Sequence, residues 1–359
     1  MWHELYAASR YWPPCGNPLY CAARFYEDGK IVLAQERELI RGLHNLRPRH
    51  RGCVATIGSF DGVHLGHQAI IAQLQQRALE QGLPSVAIIF EPQPHEFFSG
   101  EQAPARLMRF KEKVLALFDV GVERVLCLQF NDTLRGLSAE AFIQRILLDG
   151  LGIRHLVVGD DFRFGCDRSG DYSLLQTMGA QHGFTVEDTA TMEIRGSRVS
   201  STRIREALQN GDFELAETLL GRPYKITGRV APGRSLGRQL GAPTANVRLQ
   251  RYRSPLVGVY MVRTTATDGS ELAAGRQDID GVANVGFRPT VEGEGARPLL
   301  EVNLFDFNGN LYGRELAVEF CHKLRNEEKF ASLDILKARI AEDIENARQW
   351  FKQNPRPHQ

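Results

Sequence analysis

The sequence has no apolar run approaching 18 residues, so nothing in it reads as a membrane-spanning helix. It has no excess of either charge: 44 Lys and Arg stand against 43 Asp and Glu, a formal net charge of +1. Such a balance gives no general attraction to nucleic acid or to membrane surfaces. Anionic ligands then have to be held by local sites. Cysteine is sparse and scattered, at Cys15, Cys21, Cys53, Cys127, Cys166 and Cys321, without metal-ligand spacing. The pattern reads as reduced thiols of a cytoplasmic protein, not a disulfide framework. No Gly-Lys-Ser/Thr phosphate loop occurs, which excludes a Walker-type nucleotide site.

What is present is ample apolar material. Over 359 residues, 43% are hydrophobic and 24% charged, enough for two ordinary domains with full cores. Residues 1–37 carry Trp, Tyr, Pro-Pro and two cysteines without periodicity, and no charged start leads into an apolar segment. They read as a disordered or loosely packed extension without a secretion signal.

The first half is organised around Gly58-Ser59-Phe60-Asp61-Gly62-Val63-His64-Leu65-Gly66-His67. Apolar residues precede it, and Ile70, Ile71, Leu74 and Ala78 follow on one helical face. The stretch predicts a buried strand, a tight glycine turn and a helix entrance. Unpaired N–H groups at a helix start attract anions, and glycine lets the backbone approach them. His64 and His67 can both donate to phosphate oxygens there.

Strand and helix signals then alternate. Residues 85–90 and 122–130 read as strands, 110–118 as a helix, Ser138 as a cap, and 156–158 as a further strand. The fold class expected is α/β, with a doubly wound parallel sheet. Gly159-Asp160-Asp161-Phe162-Arg163-Phe164-Gly165 follows the last strand. Val199-Ser200-Ser201-Thr202-Arg203-Ile204-Arg205 opens a helix, with Ser201 as its expected cap.

Periodicity changes after Arg222-Pro223-Tyr224. Short strands separated by turns predict a small antiparallel barrel, closed by a helix with an apolar stripe at Leu333, Leu336, Ile340, Ile344, Ala347 and Phe351. The domains expected are 38–222 and 223–352, followed by a tail at 353–359. The glycine-rich run from Gly228 ends in Pro243-Thr244-Ala245-Asn246. Thr244 and Asn246 offer hard oxygen ligands on one strand face, suited to Mg²⁺ shared with ATP phosphates. Glu301 lies in an alternating strand, facing away from Leu300 and Val302.

The segment 58–67 resembles the signature of the HxGH nucleotidyltransferases, in the form carried by FMN adenylyltransferases. Residues 159–165 resemble the flavin motif of the same family, and residues 200–205 its second nucleotide motif. No Lys-Met-Ser-Lys-Ser segment takes that part, which argues against a tRNA-charging enzyme. The run 228–246 resembles the riboflavin kinase motif, with Ala242 where the family usually has Phe or Ile.

The whole resembles the bacterial bifunctional riboflavin kinase/FMN adenylyltransferase family over about residues 38–350. The resemblance implies phosphorylation of riboflavin to FMN and adenylylation of FMN to FAD, with Mg²⁺ and ATP. It implies Glu301 as kinase base, His64, His67 and Arg205 at the transferred phosphate, and Thr244 and Asn246 on the metal. ATP is expected at Gly58, Ser59, Phe60, Asp61, Gly62, Ser201 and Thr202, and in the barrel at Gly233, Gly237 and Arg238. Flavin is expected at Asp161, Phe162, Phe164 and Arg325. Riboflavin, FMN and ATP are the expected partners, with no nucleic acid, membrane or obligatory protein partner. A reduced alternative keeps only the adenylyltransferase, with a flavin-binding but inactive barrel; Ala242 is the feature that favours it.

Overall fold

The structure, a computed structural model, describes residues 24–27, 30–33, 37–232, 242–288 and 297–355. Within the expected extension, β1 (Arg24–Glu27) and β2 (Lys30–Leu33) pair as an antiparallel hairpin. Most of the rest of residues 1–37 lies outside the described residues, as do Gly233, Gly237 and Arg238.

The first unit is a six-stranded, wholly parallel sheet. Its strands are β3 (Glu38–Arg41), β4 (Val54–Ile57), β5 (Ser85–Glu91), β6 (Arg124–Gln129), β7 (His155–Gly159) and β8 (Thr185–Thr189), in the order β3-β6-β5-β4-β7-β8. The inner strands are apolar runs because helices cover both faces. One face packs α1 (Leu65–Gln81) and, beyond the short α2 (Pro94–Ser99), α3 (Phe110–Asp119) against Val54, Ala87, Ile89, Val125 and Val157.

On the other face, α4 (Asp132–Arg135) leads to α5 (Ala139–Phe142), which widens into a π-helical stretch over Ile143–Leu151. Ser138 caps α5 by accepting from the Ala141 N–H at 3.1 Å. With α6 (Tyr172–His182) these residues cover Ala55, Ile57, Ile88 and Leu156. Strand order reverses at β4: β5 and β6 lie to one side, β7 and β8 to the other. The carboxyl ends of β4 and β7 therefore border the crevice where such sheets take ligands.

A small hairpin, β9 (Glu193–Ile194) with β10 (Ser197–Arg198), leads into α7 (Ser201–Asn210) and α8 (Phe213–Leu220). The second unit is a closed antiparallel barrel, β11-β12-β15-β14-β13-β16. Its strands are β11 (Lys225–Ala231), β12 (Ala245–Arg248), β13 (Gly258–Ala266), β14 (Asp278–Arg288), β15 (Arg297–Leu304) and β16 (Glu315–Arg325). Closure removes the exposed edges that short strands would otherwise present. The terminal helix α9 (Leu333–Gln353) lies outside it.

Only the second half of the α9 stripe is covered. Ala347 and Phe351 are buried with Val259, Met261 and Val282, and Ile344 packs beside them. Leu333 remains 63% exposed, so the expected full-length stripe is corrected to about two turns. Asp343 is buried on the same face because Arg325 crosses from β16 to pair with it at 2.8 Å.

The two units share one core. Leu107, Ile204, Leu208 and Leu219 join the barrel interior of Ile226, Val247, Leu300 and Val302. A buried polar bridge runs beside it. Arg251, whose side chain is wholly buried, meets Glu112 at 2.8 Å and donates to the Arg106 carbonyl at 3.0 Å. Glu112 also accepts from the Thr227 N–H and hydroxyl. Breaking one side of a buried pair leaves an uncompensated charge and costs about 3–5 kcal/mol. Arg251→Met is expected to lower the urea midpoint accordingly, and adding Glu112→Gln to return part of the loss. An unchanged midpoint in Arg251→Met would show that the bridge contributes nothing.

Candidate functional site

The loop after β4 is fixed by what it buries. Phe60 and Val63 adopt left-handed backbone conformations, φ 47 and 41, unusual for such residues. Their side chains are 1% and 0% exposed, and that burial holds the conformation in place. Gly62 has φ 87, and a Cβ there would sit 2.8 Å from Leu107 Cδ1. Gly58 and Ser59 stay half-buried above these plugs. Phe60 is thus an anchor of the loop.

Asp61 is turned inward as well. Its carboxylate, 2% exposed as a residue, accepts from the Leu107 N–H at 3.0 Å and the Met108 N–H at 3.1 Å. It also pairs with Arg205 at 2.5 Å, and Arg205 donates to the Ala105 carbonyl. The Asp61 carbonyl accepts from the Ser201 hydroxyl at 2.9 Å. Ser201 is therefore not the cap of α7. Ser200 is, accepting from the Arg203 N–H at 3.3 Å, while Thr202 is exposed. This brings the start of α7 against the signature loop. A Cβ on Gly66 would lie 3.4 Å from the Val199 carbonyl, so the starts of α1 and α7 converge.

His64 caps α1, its Nδ1 accepting from the His67 N–H at 3.3 Å. In the neutral ring the proton then sits on Nε2. The two imidazoles stack, 3.6 Å between centroids and 16° between planes, with Phe60 edge-on to His67 at 5.1 Å. Burial lowers the His64 pKa to about 4, against the opposing pull of Asp61. Burial also holds His67 well below the ordinary value, with His64 adding to the effect. Both rings are thus neutral dipolar donors at neutral pH, not cations.

On the far side of the crevice, Asp161 is exposed and pairs with Arg198 at 2.8 Å, which lowers its carboxyl pKa. Phe162 is half-buried and stacks on Phe164, 5.5 Å between centroids. Phe164 itself is 7% exposed and packs on Phe142 in the core. Of the two rings, Phe162 is the one left near the surface.

The barrel site lies on its outer face. Leu300, Val302 and Leu304 point inward, so Glu301 and Asn303 point out. Glu301 on β15 is register-paired with Asn246 on β12 and with Asn284 on β14. Side chains directly opposite in adjacent strands have Cβ atoms about 5 Å apart. Asn246, Glu301 and Asn284 therefore form a row across three strands, with Thr244 just before β12, two residues from Asn246. The Asn303 amide donates to the Pro243 carbonyl at 2.9 Å and fastens the approach to β12. Ala242 is buried.

Arg325 is committed to Asp343 by a two-pronged pair and lies over Phe330 at 5.6 Å. Sequence reasoning passed over Asn284, whose amide bonds Glu327. The signal was a polar residue among Val282, Ala283 and Val285 in a strand. It also passed over Ser200 and Arg198. Among the described residues no cluster of three or more His, Cys, Asp or Glu could hold a metal. A cation at Thr244 and Asn246 would thus rest on neutral hard oxygens, with phosphates and water completing its shell, as Mg²⁺ commonly does.

The His64 shift carries a pH signature. Its folded pKa lies below the unfolded one, so the unfolded chain binds more protons between about pH 4 and 6.5. The stability is present above 6.5 and lost as pH falls towards 4. His64→Asn keeps a helix-capping acceptor without a titrating ring. Its melting temperature is expected to fall less than the parent's between pH 7 and pH 5; equal falls would remove His64 from the account.

Residues 46–203 match the family described as FAD synthetase, and residues 220–351 the family described as riboflavin kinase. The bifunctional riboflavin kinase/FMN adenylyltransferase of Pseudomonas fluorescens is 58% identical over 311 residues, covering 87% of this chain and 97% of its own. Those of Haemophilus influenzae and Escherichia coli are each 48% identical, covering 88% of this chain and 99% and 98% of their own. A solved structure described as the macrolide-efflux protein from Streptococcus pneumoniae superposes with a TM-score of 0.71 at 29% identity, covering 87% of this chain and 99% of that one. Among the described residues here, no helix is long and apolar enough to cross a membrane. With both halves matched and relatives aligned along nearly their whole length, the chain belongs to the bifunctional riboflavin kinase/FMN adenylyltransferase family.

Proposed function

We propose that this chain makes FAD from riboflavin in two ATP-dependent steps, phosphorylation to FMN in the barrel and adenylylation to FAD at the parallel sheet. The observation that carries this reading is the division of one chain into two matched halves, each with its own candidate site. No observation favours the reduced alternative of an inactive barrel.

In the kinase step, Glu301 takes the proton from the ribityl 5′-hydroxyl as that oxygen attacks the γ-phosphorus of ATP, breaking its bond to the β–γ bridging oxygen and releasing ADP. Asn246 and Asn284 stand directly opposite Glu301 in the strand register. Thr244 and Asn246 would hold Mg²⁺, which when bound neutralises charge on the phosphate oxygens. The glycine-rich segment with Gly233, Gly237 and Arg238 would cradle those phosphates.

In the transferase step, the FMN phosphate is already ionised and attacks the α-phosphorus of ATP, releasing pyrophosphate. No base is needed; positioning and electrostatic stabilisation suffice. The backbone of Gly58 and Ser59, the starts of α1 and α7 with Thr202, and the N–H groups of His64 and His67 supply donors. Arg205, Asp61, Phe60 and Ser201 hold those donors in place. Phe162 packs on the flavin ring, and Asp161 with Arg198 borders its polar edge. Arg325 acts on the barrel's flavin side through its hold on α9. Among the described residues Cys53, Cys127, Cys166 and Cys321 are free thiols, which suits a cytoplasmic enzyme.

Product analysis with riboflavin, ATP and Mg²⁺ separates the steps. Glu301→Gln is expected to slow FMN formation by about 10²–10⁴-fold while still converting supplied FMN to FAD. His67→Ala is expected to accumulate FMN, with FAD formation down by about 10²–10³-fold. Riboflavin phosphorylation at the parental rate in Glu301→Gln would overturn the base assignment.

A further inference from the structure

α3 carries a lysine where a helix packed on a sheet calls for an aliphatic residue. Lys113 is 0% exposed, and its neighbours Val114 and Leu117 belong to the core between α3, α1 and the sheet. Its ammonium has no hydrogen-bond partner among the described residues. An ammonium kept dry and unpaired is costly, and proteins seldom retain one without a use.

The surrounding carboxylates are already taken. Asp61 is held by two backbone N–H groups and Arg205, and Glu91 and Glu96 are both held by Arg106. Burial lowers the Lys113 pKa, and Asp61, Glu91 and Glu96 push it back up. Lys113 is the cation left over in this group.

It is not the one orphan there. Thr56 Oγ1, His67 Nδ1 and Gln93 Nε2 are also buried without partners among the described residues. Thr56 is on β4, on the same sheet face as Val54 and hence as α3. Gln93 lies two residues beyond β5, and His67 is in the first turn of α1. An ammonium on α3, a carboxamide N–H just after β5 and a hydroxyl on β4 are thus each buried and unpaired, and the Lys113 charge is near enough to His67 to help hold its pKa down. The ammonium and the Gln93 amide nitrogen can only donate, and the Thr56 hydroxyl can donate as well, so these unpaired atoms suit an anion. A phosphate oxygen is the anion this crevice receives. The four-carbon stem lets the ammonium reach it without moving the helix.

We propose that Lys113 is a further substrate-binding residue of the adenylyl-transfer site, its ammonium donating to a phosphate oxygen of the nucleotide or of FMN beneath the signature loop. This rests on the site reading given above. A parent protein that forms no FAD sinks that reading. An active parent with an equally active Lys113 variant sinks only this one.

The test uses the full chain with Lys113→Met, a close match in length without charge. FAD formation from FMN is expected to fall by about 100-fold, with riboflavin phosphorylation unchanged in the same sample. Calorimetric binding of pyrophosphate, the probe for the nucleotide arm, is expected to weaken at least about tenfold. If pyrophosphate binding holds and the KM for FMN rises instead, the oxygen belongs to FMN. Lys113→Arg is expected to recover part of the rate. Because the charge is costly when unpaired, Lys113→Met is expected to melt no lower than the parent, which a merely structural lysine would not allow. Parental FAD formation in Lys113→Met would overturn the proposal. Should Lys113→Met lose the kinase reaction and the fold, Lys113→Gln takes its place with the same deciding outcomes.

Discussion

The buried carboxylate of Asp61 is the interaction on which the nucleotide side of this molecule depends. It ties the loop after β4 to the Leu107–Met108 backbone and to Arg205 of α7, while its own carbonyl takes the Ser201 hydroxyl. Three segments distant in sequence are thus joined at one side chain. The consequence is geometric. With the carboxylate facing inward, the loop presents its backbone and no acid group of its own beside the two helix starts, and Asp161 on the far side of the crevice is paired with Arg198. An outward carboxylate would repel the triphosphate that the site is built to hold.

The same short segment connects the two halves. Leu107 gives its N–H to Asp61 and its carbonyl to Tyr224, and the Arg106 carbonyl accepts from Arg251. Glu112 then carries the link into β11 through Thr227. The halves nevertheless solve the phosphate problem in opposite ways. In the proposed transferase step the parallel sheet would use helix starts and neutral imidazoles, which suits a nucleophile already ionised. In the proposed kinase step the barrel would use a carboxylate in a row of asparagines on its outer surface, which suits a hydroxyl that must lose its proton.

The parallel sheet, the barrel and most strand positions could be read from the sequence because apolar periodicity encodes them directly, whereas the strand order within the sheet came only from the structure. The row at Glu301 was half legible: Thr244, Asn246 and Glu301 stand in recognisable runs, but Asn284 becomes a neighbour only through strand register. What sequence could not give was the direction of individual side chains. Asp61 sits in a glycine-rich ligand loop and reads as a ligand residue. It turns inward because Phe60 and Val63 take left-handed conformations that rotate it there. Phe164 and Phe162 look equivalent in sequence, yet one fills the core beside Phe142 and the other does not. Ser200 and Ser201 differ by one position, and only tertiary contact with Asp61 decides which of them caps the helix. The α9 stripe reads as continuous in sequence, yet only its second half meets the barrel and Leu333 stays exposed.

The most direct test of this account is the rate of FAD formation from FMN in Asp61→Asn, with riboflavin phosphorylation measured in the same protein. The amide keeps the shape but removes the charge that holds Arg205, and its N–H₂ cannot accept where the second oxygen did. The account predicts FAD formation lowered by about 100-fold or more, with phosphorylation retained. Parental FAD formation in Asp61→Asn would contradict it, because the loop would then hold its shape without the carboxylate.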